Sequence, residues 1–171
     1  FRFNIINVLC IDFDTLKMQL DDFIADFYDW MSKHREYQVF FASNPTRLER
    51  VKKLQHANWV TFLQAEIDES WIDARRHVGA VHAHIDLPND IYFAGMAVST
   101  NLMADRLRKA KGEVKDLDDT ISSLTKLMYL DAYVVIEEIA RINREKLSAG
   151  AKALMEMSTP VTPIWEGILL L

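Results

Sequence analysis

Apolar residues recur every third or fourth position from Ile11 to about Ser32: Leu16, Leu20, Phe23, Ile24, Phe27 and Met31, with Asp21, Asp22, Asp26 and Asp29 between them. Spacing of one helical turn gathers the apolar set on one face, so an amphipathic helix is expected there. A short segment, His34 to Ser43, carries Tyr37, Phe40 and Phe41. Asn44-Pro45-Thr46 then reads as a stop followed by a start, because proline's fixed φ and missing N–H suit a first helical turn. The pattern predicts the next helix over roughly Thr46 to Gln64, with Leu48, Val51, Leu54, Trp59, Phe62 and Leu63 as its apolar set. Another follows over about Glu69 to His84, with Trp71, Ile72, Val78 and Val81. Leu87-Pro88-Asn89-Asp90 closes it and opens a helix over about Asp90 to Lys111. Gly112 breaks the pattern, and Leu117-Asp118-Asp119-Thr120 caps a last long helix, roughly Thr120 to Met157. Pro160 and Pro163 stop it, since proline lacks the N–H and clashes with the preceding turn. Ile164 to Leu171 ends in an aliphatic run and reads as the first strand of a further unit, cut off at the last residue.

Composition narrows this picture. At 171 residues the chain is the size of one ordinary domain, and five glycines and four prolines are too few for the turns of an all-β fold. A net charge of −5 speaks against a nucleic-acid surface, which needs a basic face. The single Cys10 excludes an internal disulfide framework and fits a reducing compartment, so a cytoplasmic location is expected. No apolar run reaches the ~18 residues of a membrane span. No signal peptide is visible either.

The five histidines are the first candidates for chemistry. His77, His82 and His84 lie close in sequence. His77 and His84 share a helical face, whereas His82 lies off it by more than about a hundred degrees. That is not the i, i+4 pair of a zinc protease, and the absence of Glu-x-x-His argues against a di-iron bundle. There is no Gly-x-Ser-x-Gly elbow, no cysteine near a histidine and no glycine-rich phosphate loop. By composition alone each histidine reads as a surface or satisfied core residue.

The order of features changes that reading for His82. Phe27-Tyr28, Leu54-Gln55-His56-Ala57-Asn58-Trp59, Val78-Gly79-Ala80-Val81-His82-Ala83-His84-Ile85-Asp86-Leu87, Tyr92-Phe93-Ala94-Gly95 and Lys126-Leu127-Met128-Tyr129-Leu130-Asp131 follow one another. This series resembles the sensor-globin domain of globin-coupled sensors over about residues 11–145. The resemblance implies an all-α globin fold holding haem b, with His82 as the proximal ligand and metal donor. A haem iron needs one strong axial donor, and neutral imidazole supplies it. By the same resemblance Tyr28 takes the distal tyrosine position, and Tyr92 matches an aromatic that orients the proximal ring. Val51 and Leu54 would form the apolar distal wall, with Trp59 and Phe27 as further pocket residues. Asp131 matches an acidic position of the last helix, and His84 a basic, solvent-facing one. The family usually has glycine where this chain has Asp86.

Leu154-Met155-Glu156-Met157-Ser158-Thr159-Pro160-Val161-Thr162-Pro163-Ile164-Trp165-Glu166-Gly167 resembles the entry into a STAS domain in RsbR-type stressosome proteins. The expected organisation is a sensor globin over residues 1–145, a linker helix over 146–157 and the start of a STAS domain over 158–171. The two resemblances together imply a non-enzymatic sensor of oxygen or redox state, with CO or NO as alternative ligands. It would be a homodimer acting on other stressosome STAS proteins and a regulatory kinase, with no nucleic-acid or membrane partner. The rival expectation is a cofactor-free globin-fold interaction module. A haem peroxidase or dioxygenase is the weakest reading, since no distal His–Arg pair is recognisable.

Overall fold

The computed structural model describes residues 13–42, 44–110, 116–158, 162–165 and 168–170. The expected helix start at Ile11, the helix end at Lys111, the breaks at Gly112 and Pro160, and Cys10 lie outside the described residues. Among the described residues the chain forms seven helices followed by two short strands: α1 (Phe13–Met18), α2 (Leu20–Met31), α3 (Arg35–Phe41), α4 (Pro45–Gln64), α5 (Glu69–His84), α6 (Asn89–Lys109), α7 (Leu117–Ser158), β1 (Thr162–Trp165) and β2 (Ile168–Leu170).

The first predicted helix is in fact two. Gln19 leaves helical geometry at φ −107°, ψ 8°, so α1 and α2 meet at a bend while Leu16 and Leu20 stay on one buried face. Periodicity cannot reveal such a break, because the apolar spacing runs straight through it. The aromatic segment after His34 is a helix, α3, which sets Tyr37 and Phe41 one turn apart with their rings 5.4 Å from each other. The Asn44-Pro45 signal works as expected: the Asn44 carboxamide oxygen accepts from the Arg47 N–H at 2.9 Å, with Pro45 in the first turn. Asp68 caps α5 in the same manner, accepting from the Trp71 N–H at 2.8 Å. The C-terminal apolar run is not one strand. β1 and β2 pair antiparallel, Thr162 opposite Leu170 and Trp165 opposite Ile168, with an irregularity between Pro163 and Trp165.

Two apolar clusters organise the helices. The larger joins Leu16, Leu20, Phe23, Ile24, Phe27 and Tyr28 to Trp59, Phe62 and Leu63 of α4, Trp71 of α5, Met103 and Leu107 of α6, and Leu124, Leu127, Met128 and Leu130 of α7. The smaller holds Ala83 of α5, Tyr92 of α6, and Ala132, Val135 and Ile139 of α7. Met96 packs against both. α5 lies along α7 with both helices running the same way: Arg75 meets Asp131, Gly79 meets Val135 and Glu138, and Ala83 meets Lys146. Gly79 permits this approach, since a Cβ there would stand 2.7 Å from the Val135 carbonyl oxygen.

Candidate functional site

The buried stripe of α5 is Trp71, Arg75, Gly79 and Ala83, each one turn from the last, and His82 sits half-buried beside it. Its Nδ1 lies 2.9 Å from the Val78 carbonyl oxygen. A carbonyl only accepts, so Nδ1 carries the proton and donates, which leaves Nε2 with a free lone pair. Burial lowers the His82 pKa, with the Val78 bond opposing, so the ring is neutral near pH 7. A neutral imidazole with its second nitrogen free is in the tautomer that could donate to a metal. His84, exposed two residues on, donates to the Ala80 carbonyl from the other side of the helix. The exit of α5 is a Schellman turn: the Leu87 N–H donates to the His82 carbonyl at 3.1 Å, and Asp86 adopts φ 49°. Left-handed backbone suits glycine best, and aspartate tolerates it.

Tyr92 of α6 meets the imidazole edge to face, ring centroids 5.4 Å apart. Its hydroxyl does not reach His82. It donates to Asp131 Oδ2 at 3.2 Å, so the Val78 carbonyl, not Tyr92, is the hydrogen-bond partner of His82. Asp131 Oδ1 accepts from Arg75 Nη1 at 3.4 Å, and Arg75 Nη2 donates to Asn58 Oδ1 on α4. The Arg75 guanidinium also lies over the rings of Trp71 and Phe62 at 5.3 and 5.7 Å. Burial pushes the Asp131 carboxyl up to about 6, with Arg75 and the hydrogen bonds opposing. Burial and the Asp131 charge raise the Tyr92 phenol.

Tyr28 is buried in the larger cluster, edge-on to Phe27 and Phe41 at 5.6 and 5.9 Å, with the Lys52 ammonium 5.6 Å from its ring. Burial raises its pKa, so it stays a donor, and its hydroxyl has no hydrogen-bond partner among the described residues. Phe27 and Trp59 are core residues: Phe27 sits under Gly95, and Trp59 packs edge-on against Phe23 and Phe62. Val51 is half-buried against the larger cluster, whereas Leu54 is 61% exposed, so the two do not face the same surroundings. Sequence reasoning missed Arg75 and Asn58. The available signal was a charged residue one turn from both Trp71 and Gly79, in line with an apolar stripe.

The donor set fits an iron porphyrin. An iron porphyrin needs one protein donor on a face, and His82 Nε2 could supply it. Apolar side chains stand exposed near His82 in the chain: Val81 and Ile85 on its own helix segment, and Phe93 next to Tyr92. A flat apolar cofactor would cover such surface.

The helix order, with a half-buried imidazole held between α5 and α6, is that of the globin class. The profile of the protoglobin family matches residues 14–145, from α1 into α7, and the chain belongs to that family. Its fold is thus the globin fold, whose last helix, the 42-residue α7, continues past the matched region. The chain is also similar to the heme-based aerotactic transducer HemAT of Halobacterium salinarum (strain ATCC 700922 / JCM 11081 / NRC-1), at 22% identity over 150 residues. That alignment covers 82% of this chain and 31% of the transducer, so the chain spans about a third of that relative.

Proposed function

We propose that this chain is a haem-binding gas-sensor domain in which His82 is the axial ligand and oxygen the ligand sensed. The observation that carries the reading is the His82 ring: half-buried against Tyr92, with Nδ1–H tied to Val78 and Nε2 free, where His84 of the same tautomer is exposed. Family membership and the similarity to a heme-based transducer support it. Ferrous porphyrin supplies reversible binding of a diatomic gas. The chain's own contribution is to hold one neutral imidazole, to exclude water with apolar side chains, and to offer the Tyr28 hydroxyl as a donor. No reaction is catalysed in this reading. Among the described residues no helix is long and apolar enough to cross a membrane.

The finer reading is a homodimer joined through α6 and α7, with α7 passing the state of the site to a STAS domain that begins at Ser158. That domain would act within a stressosome on other STAS proteins and a regulatory kinase. The length of α7 and the apolar β1–β2 hairpin beyond it support this organisation. The test is haem uptake by the purified chain, followed by its Soret band. One haem per chain is expected, lost in His82→Ala and kept in His84→Ala. Full haem content with an unchanged spectrum in His82→Ala overturns the reading.

A further inference from the structure

Among the described residues Arg75 and Asp131 are the buried charged side chains. Stability alone does not account for them. Taking two charges out of water costs about as much as their attraction returns, and an apolar pair of similar volume usually serves as well. Their geometry suggests another role. Asn58, Arg75, Asp131 and Tyr92 form one hydrogen-bonded chain across α4, α5, α7 and α6, and it ends at the ring in T-shaped contact with His82.

The bond from Nδ1 to Val78 fixes one point of the imidazole and still lets the ring pivot about that bond. A second contact on the ring removes the pivot, provided that the second contact is itself anchored. Tyr92 makes the contact, and its hydroxyl is held 3.2 Å from Asp131 Oδ2. Asp131 cannot swing away, because Arg75 holds its other oxygen and is itself stacked on Trp71 and Phe62. We propose that Asp131, locked by Arg75, is a positioning residue for His82: through Tyr92 it sets the rotation of the imidazole that faces the metal. This rests on His82 being the axial ligand.

The experiment uses the full chain in two forms. In the haem-loaded ferrous form, the iron–histidine stretching band reports how the imidazole is held. In the haem-free form, imidazole ¹⁵N signals report the His82 tautomer and its averaging. The variants are Tyr92→Phe, the paired replacement Arg75→Met with Asp131→Leu, and all three together. The paired replacement avoids an orphaned buried charge and keeps the fold available. Tyr92→Phe and the paired replacement are expected to shift the band equally, and the triple variant to add nothing further. A paired variant whose band stays at the parent frequency, whatever its melting temperature, overturns the proposal. So do shifts that sum in the triple variant. If the parent chain takes up no haem, the axial-ligand reading fails by itself, and the haem-free form still decides the positioning claim. His82 ring signals that shift or broaden in both variants, while Val78 keeps the Nδ1–H tautomer, support it, and unchanged His82 signals overturn it.

Discussion

Asp131 is held by opposing forces: burial favours its neutral form, while Arg75 and the Tyr92 hydroxyl favour its charge. Replacing it alone leaves Arg75 charged, buried and without its partner carboxylate, so Asp131→Asn is expected to cost about 3–5 kcal/mol in urea unfolding. The carboxyl also makes stability depend on pH. Its folded pKa, about 6, lies above the ordinary 3.8, so the folded chain holds the proton more tightly than the unfolded one. Its contribution is therefore fully present below 3.8 and is lost as pH rises through about 6. Comparing the parent with Arg75→Met/Asp131→Leu isolates this residue from the other carboxylates. The parent should lose stability relative to the variant between those two pH values, and a constant difference would show that Asp131 does not titrate there. Tyr28 presents the simpler case of a buried ring whose hydroxyl has no partner among the described residues. Tyr28→Phe should leave the unfolding midpoint unchanged, or raise it slightly, because no hydrogen bond among the described residues is lost. A donor to a polar bound ligand is worth roughly 1.5–3 kcal/mol, so oxygen release should quicken about ten- to a hundredfold while CO release responds less. His82 and Tyr28 stand out in the sequence because short motifs surround them. The Arg75–Asp131 pair does not, because its partners are 56 positions apart and no local spacing records a contact of that range.

At the scale of elements, α5 is fastened to α7 at both ends and in the middle. Arg75 holds the first half, Gly79 lets the backbones close, and the Lys146 ammonium donates to the Ala83 carbonyl at 2.7 Å while pairing with Asp86 at 2.9 Å. Lys146 thus answers a carbonyl in the last turn of the helix that carries His82, where a cation also suits the helix dipole. The Gly79 contact is the most sensitive of the three. Alanine would gain about 1 kcal/mol of helix propensity, yet its Cβ would meet the Val135 carbonyl at 2.7 Å and Glu138 Cβ at 2.8 Å. A backbone oxygen cannot rotate aside, so the helices must separate. Gly79→Ala is expected to destabilise by about 1–3 kcal/mol despite its better propensity. A variant as stable as the parent would mean that α5 is not seated on α7 this closely. Helices α4, α5 and α6 were legible to within two residues at each described end, because caps and prolines mark their ends in the sequence. The bend at Gln19, the helical state of α3 and the pairing of β1 with β2 were not. Each depends on which neighbours the segment meets rather than on its own period.

Across the whole molecule α7 is the element that outgrows the domain. Its 42 residues extend about 63 Å, and side chains from Asn143 to Met157 are exposed throughout. Leu147, Leu154, Met155 and Met157 lie there at 69–79% exposure, and a Cβ built at Gly150 would meet nothing within 4 Å. Leu147, Gly150, Leu154 and Met157 follow a three-and-four spacing that places them along one seam. Closer to the domain, Tyr129 and Tyr133 stand exposed one turn apart on the same helix. A helical segment of this length is marginal in water by itself, so an apolar seam on it calls for a covering partner. A second copy of the chain offers an identical seam in register, the self-complementary arrangement of a twofold dimer. Light scattering at micromolar concentration is therefore expected to give twice 19.8 kDa. Leu147→Glu combined with Leu154→Glu puts two charges on the seam and should shift the mass towards one chain. The unfolding midpoint of the globin part should not move, because neither leucine touches its core. A parent chain of single mass would leave the α7 seam uncovered and remove the dimer. A double variant that stays dimeric would place the contact on Tyr129, Tyr133 and α6 instead.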